Sequence, residues 1–311
     1  MYRGLTVAVA IPAYRAESTI GGVVATLPDF VDRVFVVDDA SPDGTARALA
    51  AIAEPRLTVA RHERNRGVGG AMKTAFRLGL EAKVDVIVKM DADGQMDPVF
   101  LPLLLDRLID TGCDYAKGNR FLDGAALTAM PRVRLLGNLA LTFLTKLASG
   151  YWHVFDPQNG YVACRTSILS RLDLDSIADD YFFENDMLIH LNILSSRVVD
   201  VSMPARYGAE QSSMRIGIVL RQFPGRLLAR FWKRILHRYV LRDFSPVAVF
   251  LFLGTPLLVG GILFGAWAWY VSWRTGVVSS TGTVMLSVLP IVLGFQLILQ
   301  AIMLDISSSP R

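Results

Sequence analysis

Charge is missing from most of the last fifth of this 311-residue chain: no Asp, Glu, Lys or Arg occurs over residues 246–273 or 275–304. Uncharged runs of 28 and 30 residues exclude ordinary surface helices. At about 1.5 Å per residue, each exceeds the roughly 30 Å hydrocarbon core of a bilayer. They predict two transmembrane helices, with tilt or a loop around residues 278–283 absorbing the surplus. Acidic residues are missing from a second stretch. Residues 215–242 hold eight Lys or Arg and no Asp or Glu, leaving 24 basic against 28 acidic side chains in the other 283 residues. The net charge of +4 is therefore local, which argues against a nucleic-acid partner. Cysteine is scarce too. Cys113 and Cys164 lie far apart without metal-ligand spacing, which excludes a disulfide framework and fits buried thiols in a reducing compartment. The N-terminus (MYRGLTVAVAIPAY) has too short an apolar run for a signal peptide and reads as a first strand.

What is present is apolar bulk, 52% hydrophobic residues with a mean hydropathy of +0.38, concentrated at the C-terminal end. Just before it, Leu227, Leu228, Phe231, Trp232, Ile235, Leu236, Tyr239 and Val240 recur at helical spacing. Arg226, Arg230, Lys233, Arg234, His237 and Arg238 fill the face between them. That pattern predicts a basic amphipathic helix over 216–241, suited to the headgroup layer. The loop between the spans offers only Arg274, so the positive-inside rule places the large domain in the cytoplasm and the short loop outside. Two crossings then return residues 305–311 to the cytoplasmic side of an inner or plasma membrane. The expected organisation is a large domain over 1–214, a basic juxtamembrane segment over 215–243, two spans over 244–304 and a short tail over 305–311.

The first half alternates strand and helix patterns: strands near 5–11, 34–38, 56–61 and 84–90, and helices near 18–26, 44–52 and 71–81, the last entered through a glycine-rich loop at 65–70. Such alternation predicts a mostly parallel sheet with helices on both faces, whose ligands bind beyond the carboxyl ends of the strands. Pro12-Ala13-Tyr14, Asp38-Asp39 and Asp91-Ala92-Asp93 all fall on that one rim. The last cluster carries the most chemistry. A buried strand that ends in two carboxylates two residues apart can aim both at one hard cation, and that cation can clamp a diphosphate.

Taken jointly, IPAYRAESTI (11–20), VVDDASPDGT (36–45), NRGVGGA (65–71), MDADGQMDP (90–98), GNRF (118–121), DPQNGY (156–161) and FFEND (182–186) resemble family 2 glycosyltransferases. More narrowly, they resemble the dolichol- or polyprenyl-phosphate hexose synthases, in the bacterial polyprenyl-phosphate glucosyltransferase subgroup with two C-terminal spans. The resemblance implies a GT-A, Rossmann-like α/β domain. It also implies that Pro12, Tyr14, Glu17, Asp39, Ser41 and Asp43, with Asp91, bind the nucleotide. Asp91, Asp93 and Gln95 would hold Mg²⁺ or Mn²⁺. Arg120, Arg132, Arg134, Arg206, Ser212, Ser213 and Arg215 would receive the lipid phosphate, while Asp156 and Gln158 touch the sugar. Glu184 and Asp186 occupy the acidic motif that often supplies a base, although a phosphate acceptor is already anionic and needs none. Arg15 and Ala16 depart from the Asn and acidic residue usual there.

The expected reaction is inverting, metal-dependent transfer of a hexose, from a UDP-hexose or GDP-mannose, to polyprenyl or undecaprenyl phosphate at the cytoplasmic face. A homo-oligomer, a tetramer included, is expected. Three other readings stand beside it. A processive polysaccharide synthase of the same fold would carry Q-x-x-R-W and more spans. A non-catalytic nucleotide-sugar-binding membrane adaptor would bind donor without converting it. A sugar nucleotidyltransferase would want a glycine-rich basic loop after the first strand.

Overall fold

Strand β1, Val7–Ala13, is almost wholly buried because it runs through the middle of a mostly parallel sheet, where both faces are covered. In this computed structural model, which describes residues 1–120, 132–204 and 216–310, seven strands lie in the order β3-β2-β1-β4-β6-β5-β7. β2 is Arg33–Asp38, β3 Leu57–Arg61, β4 Val86–Lys89, β5 Tyr115–Asn119, β6 Val162–Arg165 and β7 Val198–Ser202. β1 pairs in parallel with β2 and β4, β2 with β3, and β5 with β7, whereas β6 runs antiparallel between β4 and β5. Alternation along β1 divides the core: Val7, Val9, Ile11 and Ala13 join one cluster, and Ala8 and Ala10 join the other. The register of Ala13 opposite Asp38 brings the carboxyl ends of β1 and β2 level. β4 delivers the residues after Lys89 to the same rim.

Helices α1 (Ile20–Ala25), α2 (Thr45–Ala50), α3 (Gly67–Glu81) and α4 (Leu101–Asp110) follow the strands. α3 starts earlier than its glycines suggest. The Asp39 carboxylate, arriving from the end of β2, accepts the backbone N–H groups of Arg66 (2.8 Å) and Gly67 (2.7 Å), and so caps the first turn from outside. Gly67 has φ +83°, and a Cβ there would sit 2.6 Å from the Asp179 carbonyl oxygen. Glycine is required at that point on both counts.

α5 (Arg132–Ser149) and α6 (Phe183–Ile193) complete the first compact unit together with the start of α7 (Ile216–Leu236). Phe223 and Leu227 of α7 are buried with Phe182, and the Phe182 and Phe223 rings meet edge to face at 5.2 Å. Arg226 reaches Asp180 at 2.6 Å and Arg230 reaches Asp186 at 2.8 Å. Apolar residues therefore do not all share one face: Leu227, Ile235 and Tyr239 are buried, whereas Leu228, Trp232 and Leu236, spaced four apart, are exposed.

The second unit, Trp232–Ser309, contains a π turn over His237–Leu241 and a hairpin of α8 (Pro246–Thr275) and α9 (Thr281–Ser307). Both helices are long and apolar enough to cross a membrane. Gly276, at φ +68°, ends α8, and the Ser280 hydroxyl accepts the Thr283 N–H to start α9. α9 runs beyond Leu304, because Asp305 is buried and holds the Arg234 guanidinium through two contacts of 2.6 and 3.0 Å.

Candidate active site

The segment after β4 turns sharply at Gly94 (φ +75°) and is braced by its own backbone. Asp93 Oδ1 accepts the Gln95 N–H at 2.9 Å, the Met96 sulfur accepts the Asp91 N–H, and Asp97 caps the following turn through Val99. These bonds leave Asp91, Asp93 and Gln95 lining one small cleft with Arg120, Gln158 and Tyr161. The fold therefore gathers the expected metal-binding triplet, one expected phosphate-binding arginine and Gln158. Among the described residues, no three His, Cys, Asp or Glu side chains group to hold a metal by themselves. Two carboxylates and an amide are hard oxygen donors suited to Mg²⁺ or Mn²⁺, and they leave coordination positions for a ligand's oxygens.

Asp156, expected at the sugar, holds an arginine in this structure. It is buried and grips Arg120 side-on, with Nε to Oδ2 at 2.7 Å and Nη2 to Oδ1 at 3.1 Å. A guanidinium held in this way has a fixed plane, which suits recognition of a phosphate. The acidic motif of α6 also divides. Glu184 lies 3.3 Å from the Lys89 ammonium. Asp186 is fully buried, accepts the Ala178 N–H at 2.9 Å and pairs with Arg230.

Among the residues expected to bind the nucleotide, Tyr14 is exposed, with the Arg15 guanidinium 5.4 Å from its ring centre. Pro12 lies in β1. Glu17 accepts the Gly44 N–H and pairs with Arg47 at 2.9 Å, and the Ser41 hydroxyl accepts the Arg15 N–H. Asp43 is held below the ordinary carboxylate range, chiefly by the Thr45 hydroxyl donating at 2.6 Å. Asp39 is buried and occupied by the α3 turn and by His62 Nδ1 at 2.7 Å. Beside it, a wider opening of about 690 Å³ is lined by Arg61, His62, Arg64, Arg66 and Asp179. The side chains of Arg132 and Arg134, and the whole of Arg206, Ser212, Ser213 and Arg215, lie outside the described residues.

Two buried lysines beneath the cleft escaped the reading of the sequence. Lys89 is 2% exposed, with its ammonium 2.7 Å from Asp91 Oδ1. Burial alone would discharge it, but the charges of Asp91 and Glu184 outweigh that and raise its pKa above the ordinary lysine value. Lys117 donates to the Asn159 carbonyl, and burial pulls its pKa down to about 8 despite Asp156, Glu184 and Asp200 nearby. A signal existed: a lone lysine in an otherwise apolar strand is seldom buried without a partner.

Comparison with known proteins defines the class. The description "Glycosyl transferase family 2" matches residues 8–173, more than half of the chain, and the chain belongs to that family. It is 35% identical over 196 residues to an undecaprenyl-phosphate mannosyltransferase of Micrococcus luteus, covering 61% of this chain and 79% of that one. It is 34% identical over 186 residues to a polyprenol monophosphomannose synthase of Mycolicibacterium smegmatis, covering 58% and 69%. It is 31% identical over 194 residues to a UDP-N-acetylglucosamine–dolichyl-phosphate N-acetylglucosaminyltransferase of Methanococcus voltae, covering 58% and 77%. Glucosyl-3-phosphoglycerate synthase of Mycobacterium tuberculosis, solved with Mn²⁺, uridine diphosphate and glucosyl-3-phosphoglycerate, superposes with a TM-score of 0.57 at 24% identity. That match covers 74% of this chain and 81% of the other, a likeness of fold alone. The protein is a glycosyltransferase on a GT-A-like fold.

Proposed function

We propose that this glycosyltransferase moves a hexose from a nucleotide-sugar to polyprenyl phosphate at the cytoplasmic face of the membrane, with inversion at the anomeric carbon. The observation that carries this reading is the shared cleft of Asp91, Asp93 and Gln95 with an Asp156-clamped Arg120, in a chain that ends in a two-helix apolar hairpin. The names of the relatives support a lipid-phosphate acceptor. Those names divide between mannose and N-acetylglucosamine. A UDP-hexose is our favoured donor, with GDP-mannose beside it.

Asp91, Asp93 and Gln95 would hold Mg²⁺ or Mn²⁺, which when bound neutralises the diphosphate and stabilises it as a leaving group. The chain's own residues do the rest. Tyr14 and the segment at 41–44 form the wall for the nucleoside. Arg120 takes the acceptor phosphate with its plane fixed by Asp156. That charge matters because two unit charges 5 Å apart at an effective dielectric of 20 repel by about 3 kcal/mol. The acceptor oxygen is already anionic, so no proton has to be removed, and Glu184 positions neighbouring groups instead. Asp186 is fully buried and secures α7 against α6 through Arg230.

The test is a panel of UDP- and GDP-linked hexoses offered with undecaprenyl phosphate and Mn²⁺ to the purified full-length protein. An organic-extractable product with the mass of one added hexose is expected. Bound but unconverted donor across the panel would replace the enzyme with a nucleotide-sugar-binding adaptor.

A further inference from the structure

Lys89 is one of two buried lysines that the proposed transfer reaction leaves unused. It closes β4, a strand buried along its whole length, and its ammonium is enclosed by segments remote in sequence. Asp91 Oδ1 lies at 2.7 Å and Glu184 Oε1 at 3.3 Å. Gly160 of the DPQNGY segment borders the same space. A Cβ there would collide with Nζ and come within 3.3 Å of Asp91 Oδ2. The D-x-D loop, α6 and the loop before β6 therefore meet around one buried cation, and that cation sits on a carboxylate that the proposed function assigns to a metal.

We propose that Lys89 is a positioning residue that acts as a resident counter-cation of Asp91. It ties Asp91 to Glu184 and keeps the enzyme's own grip on a divalent ion weak, so that the ion is held well only together with a nucleoside diphosphate. The inference rests on the metal-dependent reading given above. Two effects of the ammonium compete. By fixing the Asp91 side chain it pre-organises a ligand, which favours ion binding. Its positive charge, 2.7 Å from an oxygen of Asp91, would also repel an ion that Asp91 held. In a partly buried site that repulsion outweighs the fixing of one side chain. The donor set points the same way, because Asp91, Asp93 and Gln95 have no third His, Cys, Asp or Glu grouped with them among the described residues. The negative charge needed to hold a divalent ion against Lys89 then comes from the diphosphate oxygens.

Mn²⁺ binding by the full-length protein in detergent, followed by the electron paramagnetic resonance signal of free Mn²⁺, tests this without turnover. Wild type is expected to bind Mn²⁺ weakly alone and at least tenfold more tightly with UDP or GDP. Lys89→Met, of similar length and no charge, is expected to bind Mn²⁺ alone at least tenfold more tightly than wild type, with a smaller gain from nucleotide. Unchanged or weaker Mn²⁺ binding by Lys89→Met, with wild type still responding to nucleotide, overturns the counter-cation role and leaves the metal reading standing. Wild type that binds no Mn²⁺ even with nucleotide overturns both. Should Lys89→Met fail to melt cooperatively, Lys89→Gln carries the same comparison, because it keeps a hydrogen-bond donor for Asp91 without the charge.

Discussion

Side chains of one type receive opposite tasks in this site, and their surroundings decide which. Asp93 borders the cleft, with one oxygen bonded to the Gln95 N–H. Asp39 and Asp186 are turned into the protein by backbone donors and a buried partner. On the proposed function, Asp93→Ala should lower turnover by about 10²-fold or more while the thermal midpoint stays near wild type, since the change would remove charge proposed to act on the diphosphate. Turnover within a few-fold of wild type would take Asp93 out of the chemistry. Lys117 gives a pH-dependent prediction. Its folded pKa of about 8 lies below the 10.5 of an unperturbed lysine. Between those values the unfolded chain holds a proton that the folded chain has released, so stability rises with pH across the window. Against Lys117→Met, wild type should gain on the order of 2 kcal/mol from pH 7.5 to 10, read from denaturation midpoints. A constant difference between the two would show that Lys117 does not titrate there. The motifs identified Asp91, Asp93, Gln95 and Arg120 as a group, because strand ends on a parallel sheet share a rim. They did not show that Asp39 would take up the first turn of α3, because residue type carries no record of which backbone N–H groups a carboxylate will meet after folding.

Strands and helices were legible wherever burial enforces a period, as in β1 and β4, whose apolar runs leave no other solution. The antiparallel insertion of β6 between β4 and β5 was not, since nothing local to residues 162–165 records which neighbours it will find. The entry to α3 is a similar case. Its glycines read as a loop, yet they form the first helical turn because Asp39 caps it from another strand. Gly67→Ala tests that arrangement. The substitution forces an alanine to φ +83° and drives its methyl toward the Asp179 carbonyl. The expected cost is about 1–3 kcal/mol, seen as a lower thermal midpoint, and on the proposed function donor affinity should fall with it because the turn is held by Asp39. An unchanged midpoint would mean that the turn relaxes without loss. In α7 the basic face was legible as a pattern but not in its destination. Arg226 and Arg230 answer carboxylates at the start of α6, and Leu228, Trp232 and Leu236 stay exposed.

Compositional contrast along the chain is what divided it into a polar α/β part and an apolar hairpin, and the hairpin's closure rests on a pair that composition could not show. Arg234, ahead of α8, and Asp305, near the end of α9, are both buried, joined by two contacts, with the Tyr239 hydroxyl donating to Asp305 at 2.6 Å. The two ends of the hairpin are thereby fastened together. A buried pair of this kind adds little over a well-packed apolar replacement, but losing one partner strands a charge. Asp305→Ala should therefore destabilise the detergent-solubilised protein by about 3–5 kcal/mol. Arg234→Met combined with Asp305→Leu should recover most of that loss. Thermal unfolding of the two variants beside wild type reads the difference directly. If Asp305→Ala melts like wild type, Arg234 reaches water or headgroup phosphate when Asp305 is gone, and the hairpin is closed by the packing of α8 on α9 alone, through the close approach of Gly254 and Gly294.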